Sequence, residues 1–215
     1  MPRKARQKSN TCIYHIILRG ANRQEIFHDD KDRVRFLETL DKYRNQIEIK
    51  IYAWCLMNNH IHIVIQEGKE DLSVTMKRIG VSFVWYYNLK YGTTGHLFQD
   101  RYRSENVESD EYLMNVIRYI HHNPVKAGLV KKPLQWKWSS CKAYYEKETY
   151  MINLLYKEFV LNMFSEDKDK AIEIFREFNE EINEEKFMED DVVIRLKDDE
   201  AKIEIEKIAY GINIA

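Results

Sequence analysis

Three observations predict an α+β fold, an antiparallel sheet with helices packed on one face. Short β-branched runs recur at Thr11 to Arg19, Ile47 to Leu56 and His60 to Gln66, the first apolar and the other two alternating with the period of two expected of a strand. Longer stretches with apolar residues at helical spacing separate them, over 29–46, 71–91 and 109–122. The resulting order, β-α-β-β-α-β-α, describes a ferredoxin-like or RRM-like layer.

Residues 1–10 carry Arg3, Lys4, Arg6 and Lys8 without apolar periodicity and read as a flexible basic arm that contacts phosphates. The first strand, TCIYHIILR, closes at Gly20. After a loop, Asp29-Asp30 caps a helix through about Gln46, with Val34, Phe36, Leu37, Leu40 and Tyr43 near helical spacing. The second strand and the His60 strand are separated only by Met57-Asn58-Asn59, so they form an antiparallel hairpin. The helix over Asp71 to Tyr91 has Leu72, Met76, Ile79, Phe83 and Tyr87 as its apolar stripe and ends near Gly92. Thr93 to Arg103 is an aromatic loop, and Ser104 to Glu108 is a candidate fourth strand. A helix begins at Ser109, with Asp110 and Glu111 complementing its dipole. Pro124 disfavours helical geometry at Asn123, so this helix is expected to stop near His122, with a turn over Val125 to Val130. Trp136 to Ser140 opens a short helical segment through Tyr145.

From Met151 the chain turns acidic and helical, with Phe159, Met163, Ile172, Phe175 and Phe178 suggesting amphipathic helices. Two domains are therefore expected, a body over 1–148 and an acidic helical C-terminal extension over 149–215. The extension stops at Ile212-Asn213-Ile214-Ala215 without an evident cap, as a truncated or fraying end would. Residues 1–150 hold 25 Lys and Arg against 17 Asp and Glu, whereas residues 151–215 hold 9 against 18. A basic body with an acidic tail suits a protein that meets a polyanion with one part only, although an unevenly charged solvated surface has the same composition. The three cysteines, Cys12, Cys55 and Cys141, are too widely spaced for a cysteine zinc site and odd in number. No long apolar run or signal-peptide pattern occurs, so a cytoplasmic protein without a membrane partner is expected.

The most informative stretch is Met57 to Gln66, MNNHIHIVIQ. On a strand, Asn58, His60, His62 and Val64 share one face while Ile61, Ile63 and Ile65 share the other. One face is apolar and the other displays two imidazoles on a rigid element, suited to a metal or a phosphate. Alone, a His-x-His is more often two half-exposed histidines, so a third partner is required. The helix ahead of Pro124 supplies candidates: Tyr119 and Asn123 are four apart and lie on one helix face.

These residues carry a resemblance. The Thr11–Gly20 strand with Asn22-Arg23, the Asn59-His60-Ile61-His62 block, the loop Gly95-His96-Leu97-Phe98-Gln99-Asp100-Arg101-Tyr102, and Tyr119 through Gly128 followed by Trp138-Ser139-Ser140 occur in family order. In these blocks, which span about 10–145, the sequence resembles the HUH single-tyrosine transposases, in their REP-associated branch. The resemblance implies a metal-dependent enzyme that cleaves and rejoins single-stranded DNA through a 5′-phosphotyrosine, with Tyr119 as nucleophile. It also implies His60, His62 and Asn123 as ligands of one divalent cation, Mg²⁺ with Mn²⁺ as substitute. Candidate DNA contacts are Arg3, Lys4 and Arg6 of the arm, with Arg23, Arg101, Arg103 and Lys126. The expected partner is single-stranded DNA with hairpin structure, and relatives act as monomers or as homodimers.

Other residues invite competing roles. Tyr86, Tyr87 and Tyr91 are alternative nucleophiles but are more simply packing or stacking groups. His121 and His122 are acid-base candidates, or helix-end residues that complement the dipole. Trp54, Trp85, Trp136 and Trp138 are expected in the core. Two other functions fit parts of the sequence. One is a non-catalytic, domesticated single-strand binder on the same fold, which the intact His60, His62, Tyr119 and Asn123 disfavour. The other is a zinc hydrolase, disfavoured because no acidic ligand lies near and no further histidine is expected on the His60/His62 face.

Overall fold

In a computed structural model, residues 7–146, 151–181 and 187 are described; Arg3, Lys4, Arg6 and the chain end at 212–215 lie outside them. In chain order the elements are β1 (Ile13–Arg19), α1 (Asp30–Ile47), β2 (Lys50–Leu56), β3 (His60–Gln66), α2 (Leu72–Tyr91), β4 (Arg103–Asn106), α3 (Asp110–Lys126), α4 (Cys141–Tyr145), α5 (Lys157–Leu161) and α6 (Lys168–Glu180). The sheet runs β2-β3-β1-β4 with every neighbouring pair antiparallel. This is the α+β, βαββαβ layer expected from the order of apolar periods.

Alternation along the strands decides where the core sits. Tyr14, Ile16 and Leu18 of β1, Trp54 and Leu56 of β2, and Ile61, Ile63 and Ile65 of β3 pack with Phe36, Leu37 and Leu40 of α1 and Met76, Ile79 and Phe83 of α2. The five α2 positions expected as its apolar stripe are all buried. At the rim of this core, Asp32 joins the two helices. Its carboxylate accepts from the backbone N–H of His28 and Asp29, from Lys90 Nζ at 2.6 Å and from the hydroxyls of Tyr86 and Tyr91. Burial by itself would raise this carboxyl; the bonds from Lys90, Tyr91 and the two backbone N–H groups outweigh it, and the net shift is downward.

Two boundaries differ from the sequence expectation. Ile47 is the last residue of α1 and not the first of β2, because Glu48 takes a left-handed cap at φ 59° and returns its N–H to the Arg44 carbonyl. And α3 does not stop at His122 but runs through Pro124 to Lys126. The proline forfeits only its own N–H bond, the one that would reach the Ile120 carbonyl, two residues before the end of α3. The ladder then resumes with Ala127 N–H on the Asn123 carbonyl at 2.9 Å. The turn that follows is consequently confined to 127 onward, with Gly128 at φ +68°.

α3 lies against β2 and β3 on the face opposite α1 and α2. α6 is tied to it: Phe175 stacks on Tyr144 of α4 at 4.4 Å, and Asn179 bonds the rings of His121 and His122. The compact unit that holds these elements runs to Glu184, so the boundary expected at 148/149 falls inside it and α5 and α6 belong with the sheet.

Candidate active site

Strand register, which the sequence does not display, assembles the site. In the β1–β3 pairing Arg19 lies opposite His60, Ile17 opposite His62 and His15 opposite Val64. In β1–β4, Glu105 lies opposite His15 and Arg103 opposite Ile17. Cross-strand partners share a face, so His15, Arg19, His60, His62, Arg103 and Glu105 all belong to the face away from the α1/α2 core. The expectation that no further histidine shares this face is therefore overturned: β1 contributes His15.

His15 and His62 are both fully buried. Their rings stack with centroids 5.4 Å apart, and His15 Nε2 lies 3.1 Å from His62 Nδ1. His60 is half-buried, its ring edge-on to His62 at 5.1 Å. Its Nδ1 is 2.6 Å from the Oδ1 of Asn59, whose own Nδ2 donates to the Arg23 carbonyl at 3.2 Å. That second bond fixes the amide so that oxygen faces the imidazole. The His60 proton consequently sits on Nδ1, and Nε2 keeps its lone pair.

The loop behind His60 is held in a demanding conformation. Asn22 and Arg23 both have left-handed backbone, at φ 50° and 60°. Gly20, which opens the loop, cannot be replaced simply, since a Cβ there would come within 2.9 Å of Ile26 Cγ2 as well as meeting the Gln24 carbonyl. Gly20 N–H bonds the Asn59 carbonyl at 2.9 Å, Ala21 N–H bonds that of Leu97, and Gln99 N–H bonds that of Arg19. The aromatic loop is thereby stapled to the end of β1, with Leu97, Phe98 and Tyr102 buried and Arg101 and Arg103 exposed.

From above, α3 lowers Tyr119 onto the histidines. Its ring is edge-on to His62 at 5.9 Å and to His15 at 6.0 Å, and the residue is buried. Phenol and imidazoles thus lie on the same side of the sheet. Asn123, one turn on and also buried, donates Nδ2 to the Tyr119 carbonyl at 3.1 Å, so Oδ1 is the atom with which it could ligate. Lys126 is exposed, with Nζ over the Tyr119 ring at 4.5 Å, so its charge stands beside the candidate nucleophile. Arg23 is exposed on the loop behind His60.

Among the described residues, no three His, Cys, Asp or Glu side chains converge as a ready-made metal cage. Two imidazoles and an amide oxygen would make a neutral N,N,O donor set, whose chemistry suits a divalent ion of the manganese type with its remaining positions left to water and phosphate oxygens.

The competing candidates resolve differently. Tyr86 and Tyr91 bond Asp32, and the Tyr87 hydroxyl lies 2.8 Å from His28 Nε2, all at the α1/α2 side. His121 is a fully buried tie with Asn179 and Ser140 on its two nitrogens, and burial pushes its pKa down to about 4. His122 bonds the Asn179 carbonyl at 2.6 Å. Trp54 and Trp138 are buried and Trp136 half-buried, but Trp85 is 63% exposed, against the expectation that it sits in the core. It lies on the outer side of α2, opposite the stripe. Sequence reasoning missed His15, Glu105 and Arg19. A histidine and an arginine at alternate positions of an otherwise apolar β1 were the available signal.

Three comparisons bear on this arrangement. The model of the IS200-like transposase family matches residues 8–123. The REP-associated tyrosine transposase of Escherichia coli K12 is 24% identical over 135 residues, covering 62% of this chain and 77% of that protein. A candidate REP-associated tyrosine transposase of Haemophilus influenzae is 26% identical over 156 residues, 66% of this chain and 86% of that one. In fold, the chain is similar to a solved REP-associated tyrosine transposase bound to a REP hairpin, with a TM-score of 0.57 at 20% identity over 71% of this chain and 90% of that one. The family match spans more than half of the chain and contains β1, the histidine strand and Tyr119, and by it the chain belongs to the IS200-like transposases.

Proposed function

We propose that this transposase cleaves and rejoins single-stranded DNA at a hairpin or repeat, with Tyr119 as nucleophile. The observation that carries the proposal is the packing of the Tyr119 ring against His62, 5.9 Å between centroids, on the face that also displays His60. Tyr119 Oη attacks the scissile phosphorus and the P–O3′ bond breaks. The 5′-phosphate is left on tyrosine, and the departing 3′ oxygen ends protonated. The phosphodiester energy stays in the phosphotyrosine, so a 3′-OH attacking it restores a DNA strand without ATP.

His60, His62 and Asn123 would hold a divalent cation, Mg²⁺ or Mn²⁺, which when bound supplies charge to polarise the phosphate and to favour the phenolate. A phenol ordinarily ionises near 10 and so is almost wholly protonated at neutral pH; the Lys126 ammonium over the ring works in the same direction. Arg103, on the edge strand β4, shares this face with Arg19, and with the exposed Arg23, Arg101 and Lys126 would receive a strand's phosphates. The match to a REP-associated relative solved with a REP hairpin supports a folded single strand as substrate.

The test is a hairpin oligonucleotide incubated with protein and Mn²⁺, followed by denaturing electrophoresis. A protein–DNA adduct that survives denaturant, is absent with chelator and is lost in Tyr119→Phe is the expected result. Binding without any adduct would instead favour a non-catalytic single-strand binder.

A further inference from the structure

We propose that His15, braced by Glu105, is a positioning residue that sets the tautomer of His62; the proposal rests on the metal-ligand role given to His62 above. His15 Nε2 and His62 Nδ1 are 3.1 Å apart and both rings are fully buried, so one nitrogen of this pair must donate and the other accept. Which one donates is decided on the other side of His15. Its Nδ1 faces Glu105 Oε2 at 3.7 Å, an electrostatic contact longer than a hydrogen bond; that oxygen is buried, although the Glu105 side chain as a whole stays 34% exposed. A negative charge beside Nδ1 favours the proton there, and in the neutral ring, the form that full burial favours, this makes Nε2 of His15 the acceptor.

The consequence passes to His62. Its Nδ1 carries the proton it donates to His15, and its Nε2 is left with the lone pair that ligation requires. The same logic, with a different partner, holds at His60, where the side-chain amide oxygen of Asn59 holds the proton on Nδ1. Two adjacent imidazoles are thus locked in one tautomer by separate devices, an amide on the hairpin loop and a carboxylate–imidazole pair spanning β4 and β1. A purely packing role for His15 would need no particular tautomer and no acid opposite it in register.

The experiment is long-range ¹H–¹⁵N NMR of the full-length, metal-free protein, together with Mn²⁺ titration followed by electron paramagnetic resonance. In the wild type His62 is expected as the Nδ1–H tautomer. In His15→Leu the Nε2–H form should become the major one and Mn²⁺ affinity should fall about 10- to 100-fold. His15→Gln, which keeps an acceptor near the Nε2 position, should restore most of both. Finding His62 as Nε2–H in the wild type, or unchanged Mn²⁺ affinity in His15→Leu, overturns the proposal. If the leucine variant does not fold, the wild-type tautomer and the glutamine variant still decide. A wild-type protein with His62 as Nδ1–H that binds no Mn²⁺ would uphold the positioning role and sink the metal reading instead.

Discussion

The two faces of one sheet follow opposite rules. Under α1 and α2, the strands present Ile16, Leu18, Ile61, Ile63 and Ile65, none more than 4% exposed, and the face is apolar throughout. Turned over, the same strands present His15, Arg19, His60 and His62, with Glu105 and Arg103 on the edge strand. His62 is as deeply buried as Ile61 and Ile63 on either side of it. Burying an apolar side chain needs only a shape that fits, whereas a buried imidazole must also find a partner of the right sense. The apolar face can therefore be repacked by any chain of the right volume. The histidine face is specified atom by atom, and that difference separates scaffold from site.

Substitutions on the two faces should break the molecule in different ways. The largest effect belongs to Tyr119→Phe, which keeps the ring against His15 and His62: adduct formation should fall by on the order of 10³-fold or more, with the melting temperature little changed. Asp32→Ala, on the scaffold side, should do the reverse. It removes the acceptor of two tyrosine hydroxyls and one of the two carboxylates that pair with Lys90, which keeps Asp29, and should cost about 1–3 kcal/mol in urea denaturation, while cleavage per folded molecule stays as in wild type. Because the Asp32 carboxyl is held below its ordinary 3.8 in the fold, its contribution is complete above about pH 5. It is lost as the pH falls through the depressed folded value, and acid unfolding of the variant should lack that component. Lys126→Ala should weaken hairpin binding modestly and reduce the slope of log K against log salt by about one; an unchanged slope would remove Lys126 from the phosphate contacts. Smallest of all, Trp85→Ala should shift stability by no more than about 0.5 kcal/mol and leave hairpin binding alone, since the side chain stands on the outer side of α2.

Much of the scaffold was legible because its signals are local. The α2 stripe from Leu72 to Tyr87, the Asp29 and Ser109 caps and the three-residue hairpin turn can each be read within a few residues. The errors also have local causes. Pro124 argued for a helix stop, but it forfeits only its own N–H bond and the ladder resumes at Ala127, so α3 carries Asn123 and Lys126 onward in helical geometry. Ile47 reads as strand by type but closes α1, where it is buried. Trp85 shows the limit of residue type as a guide to burial.

By itself the sequence determined which side chains of each strand share a face and which residues of α3 lie a turn apart, because periods of 2 and 3.6 are properties of the backbone. It therefore put His60 with His62, and Tyr119 with Asn123. Tertiary structure alone decided that His15, 47 residues before His62, would hydrogen-bond it, that Glu105 would stand opposite His15, and that α3 would lie on the histidine side. Those are matters of strand register and layer choice, fixed by hydrogen bonds and burial between distant segments, and no periodicity within a segment encodes them.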